Sequence, residues 1–457
     1  MNRRSFLQLA AACAAYPLLS RTAGAAVLAA ADDALLEDMS RRCFRYFWEQ
    51  TDPQTGITRG RARADGSEYP KERRDVGSTG DTGFGLTALC IGAERGWVAR
   101  ADARERARAT LRSFADGPVK SEHGWFYHWI NVKTGERTGA QYDSASFGNR
   151  PGPPSKRPKS EVSVSDSTWL VAGALTARQY FREDPEIVQL ATKIYERVDY
   201  RWMCHGHPTL IAKSWMPETG FSDSRYDRYD QLPCMYLLGI GAPSSFALPP
   251  ESWYAWERNP NQYQNYRYVG TSLLWTYQYP FAWFDLRGRR ENRGSRLDYF
   301  ANSATATRAH RAFCIDLGKK FPGYSPDIWG ITSSLSKTGY KAWGGPPGHH
   351  SIDGTVVPCA AAGSLMFAPD ICLRALHAMK DRFGDRIYGR YGFADAFDPS
   401  SAWVAQDTIA LDLGISLLAA ENLRFGSVWR WFMANPEPRQ ALHLAGIEPD
   451  PTAQVFS

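Results

Sequence analysis

Close cysteine pairs are missing from this 457-residue sequence. Of its eight cysteines, Cys13 lies in the leader, and Cys43, Cys90, Cys204, Cys234, Cys314, Cys359 and Cys372 are spread along the chain. Paired zinc-type spacing is therefore absent. Once the leader is removed, an odd number remains, so at least one thiol stays free. Their neighbours are apolar, as in Leu89-Cys90-Ile91, which predicts small buried hydrophobes; one disulfide, Cys204 to Cys234, stays open. Histidine is also sparse. His205 and His207 flank Gly206, and His349 adjoins His350, but neither pair has a third ligand at a supporting spacing. No metal and no cofactor is expected. A Gly-x-Ser-x-Gly elbow is absent, which disfavours a serine nucleophile. The glycines of residues 75–86 are not followed by lysine at phosphate-loop spacing. The net charge of +6 is scattered without a basic stripe, so nucleic acid is not an expected partner. No run after the leader approaches the roughly 18 apolar residues that span a bilayer, so no stable membrane association is expected. Alternating strand-like runs are few, and no internal repeat stands out.

What is present begins with the leader. Arg3-Arg4-Ser5-Phe6-Leu7, an apolar stretch from Leu9 to Leu19, and Ala23-Gly24-Ala25 together read as a twin-arginine export signal over residues 1–26. The mature chain, residues 27–457, is then expected in the periplasm. Helical periodicity dominates it. The spacing predicts helices over residues 34–49, 82–95, 101–114, 167–181, 185–195, 231–240, 299–317, 364–383 and 412–424. They come in pairs joined by long loops. Residues 138–159, rich in Pro and Gly, read as a loop over one face rather than a domain boundary. The pattern predicts an all-α chain, a single (α/α)6 barrel (a toroid of paired helices). The alternative is a less regular helical domain with a small β-hairpin subdomain.

Four polar clusters precede or interrupt the helices. Asp81, in a glycine-rich approach, is placed to cap its helix or to meet a ligand hydroxyl at the barrel mouth. Glu161 and Asp166 stand five residues apart before an apolar helix, with Trp169 just inside it as a candidate stacking surface. Asp230 and Gln231 open another helix after a run of acids and aromatics. Gln278, Trp283, Asp285 and Arg287 make a candidate hydroxyl-binding lining, although Asp285 and Arg287 are equally readable as a structural pair. The 16 Trp, 22 Tyr and 22 Phe exceed ordinary core needs. Residues 352–369, 391–397 and 410–414 repeat the theme of apolar runs ending in loops of Gly, Asp and aromatics, a groove that suits a sugar chain.

At this level of detail the chain resembles the putative glucoamylase (glycoamylase-like) family. That family is related to the endo-β-1,2-glucanases of glycoside hydrolase family 144 and to the transglycosylase domain of cyclic β-1,2-glucan synthases. The resemblance runs from about Met39 to Trp431. It is carried by residues 80–97, 229–243, 277–287, 298–303, 329–332, 353–369 and 392–422. It implies an (α/α)6 barrel and endo-acting, inverting hydrolysis of β-1,2-glucan, in which an acid protonates the leaving oxygen while a base activates water. Gln231 stands where the family carries a glutamate favoured as the acid, and an amide has no titratable proton to give. That leaves the acid to Asp230 or Asp166. Asp166 falls on a family acidic position. Ser163 falls on another, with Glu161 as its available substitute. Gln278, Trp283, Asp285 and Arg287 match substrate-lining positions. The catalytic candidates are therefore Asp166, Glu161, Asp230 and Asp81. Transglycosylation, hydrolysis of another periplasmic glucan, and glucan binding without chemistry are the alternatives.

Overall fold

The computed structural model describes residues 28–71, 73–139, 159–346, 352–450 and 452. The expected leader with Cys13, the His349–His350 pair and residues 140–158 of the expected loop lie outside the described residues. Helices alternate between two environments. α1 (Ala30–Gln50), α3 (Arg100–Ala115), α5 (Pro185–Glu196), α8 (Tyr299–Leu317) and α10 (Pro369–Phe383) bury one stripe and leave the other partly or fully open. α2 (Thr79–Glu94), α4 (Val164–Tyr180), α6 (Leu232–Ile240), α7 (Tyr279–Trp283), α9 (Pro358–Ala362) and α11 (Ala410–Phe425) are buried over almost their whole length. A helix that is apolar or small on every side has to be enclosed by other helices. An inner ring of six such helices inside an outer ring is the (α/α)6 toroid, and the chain is all-α in that sense. α12 (Ser427–Met433) and α13 (Pro436–Leu444) follow the last inner helix.

The inner ring closes tightly where glycine permits. A Cβ on Gly83 of α2 would lie 2.1 Å from the Trp169 carbonyl oxygen of α4, and one on Gly173 of α4 would lie 2.1 Å from the Gly83 carbonyl oxygen. The two backbones therefore touch. On the barrel axis the Trp169 and Trp283 rings stack at 5.7 Å and 12°, and Phe84 and Tyr279 pack edge-on beside them. Of the expected helix over residues 364–383, residues 364–367 form a turn after α9 and the helix, α10, starts at Pro369. Pro369 occupies the first turn of α10, where its missing N–H costs nothing; inside a continuous helix its ring would break the ladder.

β-Structure is confined to short ladders, and three of them launch inner helices. Val76–Ser78 pairs antiparallel with Trp129–Asn131 and leads into α2. Val162–Ser163 pairs with Ser214–Met216 and leads into α4. Asp407–Ile409 pairs with Arg61–Arg63 and leads into α11. All seven cysteines of the described chain are buried and unbonded, Cys204 and Cys234 included. No helix of the described residues is long and apolar enough to cross a membrane.

Candidate active site

Each of those three ladders hands its helix an aspartate in the first turn. Ser78, Ser163 and Ile409 hold extended backbone as N-caps, and Asp81, Asp166 and Asp412 each follow three residues later. The Ser78 and Ser163 hydroxyls accept the Asp81 and Asp166 backbone N–H at 3.3 Å. A carboxylate in a first helical turn meets the positive end of the helix dipole. The same local rule thus brings acids to one end of the inner ring.

His128 joins two of the entrances. Its backbone N–H donates to Glu161 O (2.9 Å) and its carbonyl accepts from Thr79 N (3.0 Å). Its ring stacks on Trp129 at 4.2 Å. Nδ1 lies 3.0 Å from Glu161 Oε1, and Nε2 lies 3.6 Å from Asp166 Oδ1. Burial opposes the imidazolium, but Asp166 and Glu161 outweigh it and lift the ring to about 9. Burial also works against the Glu161 carboxylate, yet the His128 charge and hydrogen bond hold that group below its usual range. Asp166 Oδ2 accepts the Ser163 hydroxyl at 2.5 Å. Its Oδ1 rests over Gly80 of α2, where a Cβ would come within 2.5 Å. Asp81 is 2% exposed, and its Oδ1 has no hydrogen-bond partner. Burial, then the neighbouring Asp166, push its carboxyl well above the carboxylate range.

Asp230 approaches from the entrance to α6. Its Oδ1 accepts Leu232 N (3.0 Å), and Lys213 Nζ stands 3.6 Å from Oδ2. Burial dominates and raises its carboxyl to about 6. Tyr226 links this acid to the others: its hydroxyl accepts Gln231 Nε2 at 3.3 Å, and its phenol feels both Asp230 and Asp166. Glu161, Asp166, Asp81, Asp230 and Gln231 therefore share one polar region.

Four expected lining residues and the expected stacking residue sit elsewhere. Trp169 and Trp283 are 2% and 0% exposed and stack on each other; they plug the barrel axis instead of presenting a face to a sugar. Trp283 Nε1 donates to Thr87 Oγ1 at 3.2 Å. Gln278 is fully buried, and its Nε2 donates to Ala360 O and Ser364 Oγ, tying α7 to α9. Asp285 and Arg287 form the structural alternative, a two-bond pair at 2.8 Å beneath which Trp429 packs at 4.1 Å. Trp429 N–H donates to Asn422 Oδ1 near the C-terminal end of α11, so this pair lies at the opposite end of the ring from Asp412. The apolar pattern of residues 274–284 drew Gln278 inward, because a short inner helix has no solvent face, whereas Asp285 and Arg287 beyond it stay partly exposed. Of the histidine pairs, His207 Nδ1 accepts the Thr209 and Leu210 N–H groups, and His205 stacks on Phe221 at 4.2 Å.

Sequence reasoning passed over His128. It sits in the run Trp125-Phe126-Tyr127-His128-Trp129, where nothing in its spacing marks it, since its partners lie 33 and 38 residues away. Asp395 and Asp412 were visible only as members of acid-bearing loops.

Residues 223–436 match the family described as Putative glucoamylase. Along 93% of its length the chain is 26% identical to an exo beta-1,2-glucooligosaccharide sophorohydrolase (non-reducing end) from Parabacteroides distasonis, and it spans 59% of that relative. It is similar to the solved endo-beta-1,2-glucanase from Chitinophaga pinensis, captured with sophorotriose and glucose: TM-score 0.80, 26% identity, covering 92% of this chain and 99% of that one. A putative glucoamylase from Bacteroides caccae matches at TM-score 0.80 and 27% identity, over 92% of this chain and 100% of that one.

Proposed function

Since residues 223–436 match the glycoamylase-like family, we propose that this chain is a glycoside hydrolase of β-1,2-linked glucan. The observation that carries the reading is the convergence of Glu161, Asp166 and Asp230, with His128 and Tyr226 between them, at the helix entrances of one barrel end. Two of the relatives, an exo-acting sophorohydrolase and an endo-glucanase, act on β-1,2-linked chains by name.

The roles follow from environment. A general acid needs its proton near neutrality, and burial raises Asp230 to about 6. A base needs to stay ionised, and His128 keeps Glu161 so. Asp230 protonates the departing glycosidic oxygen. Glu161 or Asp166, sharing His128, draws a proton from the attacking water. We assign single displacement with inversion, in which the acid and the base stand ~6.5–9.5 Å apart and admit a water between them. Endo action is the finer part of the proposal: it forms a ladder of oligosaccharides, whereas exo action releases only disaccharide. The test is reducing-end release from linear β-1,2-glucan by the wild-type protein and by Glu161→Gln, Asp166→Asn and Asp230→Asn. Loss in at least one carboxylate variant with an unchanged melting temperature supports the site, and wild-type rates in all three remove it.

Gln231 motivates a second reading, glucan binding without cleavage, because the amide takes the place of the family's acid. In that case the wild-type protein binds the polymer and releases no reducing ends. We also propose export of the folded chain by the twin-arginine route, on the strength of Arg3-Arg4-Ser5-Phe6-Leu7.

A further inference from the structure

One cation reaches into the acid cluster from a strand. Lys213 immediately precedes Ser214–Met216, which pairs antiparallel with Val162–Ser163, Ser214 standing opposite Ser163. The Lys213 backbone N–H donates to Ser224 O at 2.9 Å, and the neighbouring Ala212 bridges to Arg225. The main chain at Lys213 is therefore fixed against the strand that ends in Ser163, the N-cap of α4. Glu161 lies two residues before that cap and Asp166 three residues after it.

The ammonium belongs to the other entrance. Nζ stands 3.6 Å from Asp230 Oδ2 and 5.2 Å from the centre of the Tyr226 ring. One side chain thus links the backbone of the Glu161–Asp166 entrance to the carboxyl at the entrance of α6. The other charged groups that reach Asp230 are Asp227 and Arg228, which pair with each other at 3.1 Å and so offset one another. The phenols of Tyr226, Tyr229 and Tyr236 also face it; burial pushes all three up, so they stay neutral. That leaves Lys213 as the cation facing the Asp230 carboxylate.

We propose that Lys213 is a positioning residue for the proton donor: it holds Asp230 in place against the Glu161–Asp166 side and stabilises the carboxylate that Asp230 becomes when it gives up its proton. The inference rests on the hydrolase reading, with Asp230 as the acid. In that step the Asp230 O–H bond breaks and its proton goes to the glycosidic oxygen, whose bond to the anomeric carbon breaks with the electron pair going to that oxygen. The O–H electron pair stays on Asp230 as negative charge. Lys213 faces a neutral carboxyl before the step and a carboxylate after it. The attraction grows along the reaction, so it acts on kcat rather than on KM. An opposite charge close by also favours the ionised form, which works against the burial that raises Asp230. Lys213 therefore also sets the pH at which activity falls on the alkaline side.

The experiment measures kcat and KM on linear β-1,2-glucan across the pH profile for the wild type, Lys213→Met, Lys213→Arg and Asp230→Asn. The Lys213 side chain is 43% exposed, so Lys213→Met, which keeps the stem, is expected to fold with an unchanged melting temperature. It is expected to lower kcat about three- to fivefold, the size of a partly exposed ion pair, with KM little changed. Its alkaline limb is expected to move up by about half a pH unit. Lys213→Arg, which keeps the charge, is expected to recover most of kcat and to bring the limb back. An unmoved limb in Lys213→Met, a loss confined to KM, or Lys213→Arg no better than Lys213→Met in both kcat and limb overturns the role. Where the wild type cuts and Asp230→Asn does not, those results bear on Lys213 alone. A wild type that leaves the polymer intact, or an Asp230→Asn variant that cuts at the wild-type rate, removes the acid and the role of Lys213 with it.

Discussion

At the scale of single residues, the proposed site rests on carboxyl groups pushed in opposite directions. Asp230 is raised to about 6 by burial, and Glu161 is held low by His128. The acid must carry its proton, so kcat/KM is expected to fall as pH rises through about 6. Replacing Asp230 by asparagine is expected to lower kcat by about 10²–10⁴-fold and to flatten that limb of the pH profile. His128→Gln removes the cation beside Glu161, so the acidic limb should move to higher pH. His128 also carries a stability signature. Its folded value of about 9 exceeds the ordinary 6.5, so its contribution is fully present below pH 6.5 and is lost as pH rises through 9. The melting-temperature gap between wild type and His128→Gln is expected to be largest below pH 6.5 and to close by about pH 9. Glu161, Asp166, Asp230 and Asp81 were legible because acids just before apolar helices have a recognisable place in the chain. His128 was not, because what makes it matter is a through-space contact across more than thirty residues. Trp169 and Trp283 misled for the converse reason: an aromatic beside a polar cluster in sequence can turn to the axis of a closed ring.

At the scale of elements, the acids are only as well placed as the helices that carry them. α2 and α4 meet backbone to backbone at Gly83 and Gly173. Gly83→Ala is expected to force the helices apart, at a cost of about 1–3 kcal/mol by denaturant unfolding, and to reduce activity because Asp81 and Asp166 ride on those two helices. Ser163→Ala removes the cap of α4 together with the hydroxyl that Asp166 accepts. It is expected to cost about 1 kcal/mol. Helix positions were readable from apolar periodicity, and α8 falls over the residues expected. The start of α10 was not, because the expected helix began at residue 364 and Pro369 is compatible with a helix start as well as with a break. The short launching strands were invisible too. At two or three residues each, they have no alternation to detect, and their pairing is set by the helices they enter.

At the scale of the molecule, two nested helix rings follow from a contrast in composition: five longer helices with one apolar stripe, and six buried on nearly every side. That contrast was present in the sequence, and the toroid with it. Linkage and mode of cleavage were not, since they depend on how far apart opposed groups stand across a cleft. The export proposal makes its own prediction. Arg3→Lys with Arg4→Lys should retain the chain in the cytoplasm, with fractionation and the mature N-terminus as the readout. The central claim, that opposed carboxyls at one barrel end hydrolyse β-1,2-glucan, is tested most directly by proton NMR of linear β-1,2-glucan during its digestion. New reducing ends that first appear as the α-anomer, and are lost in Asp230→Asn, are the result this account predicts. Polymer left intact by the wild-type protein, or β-anomer formed first, would contradict it.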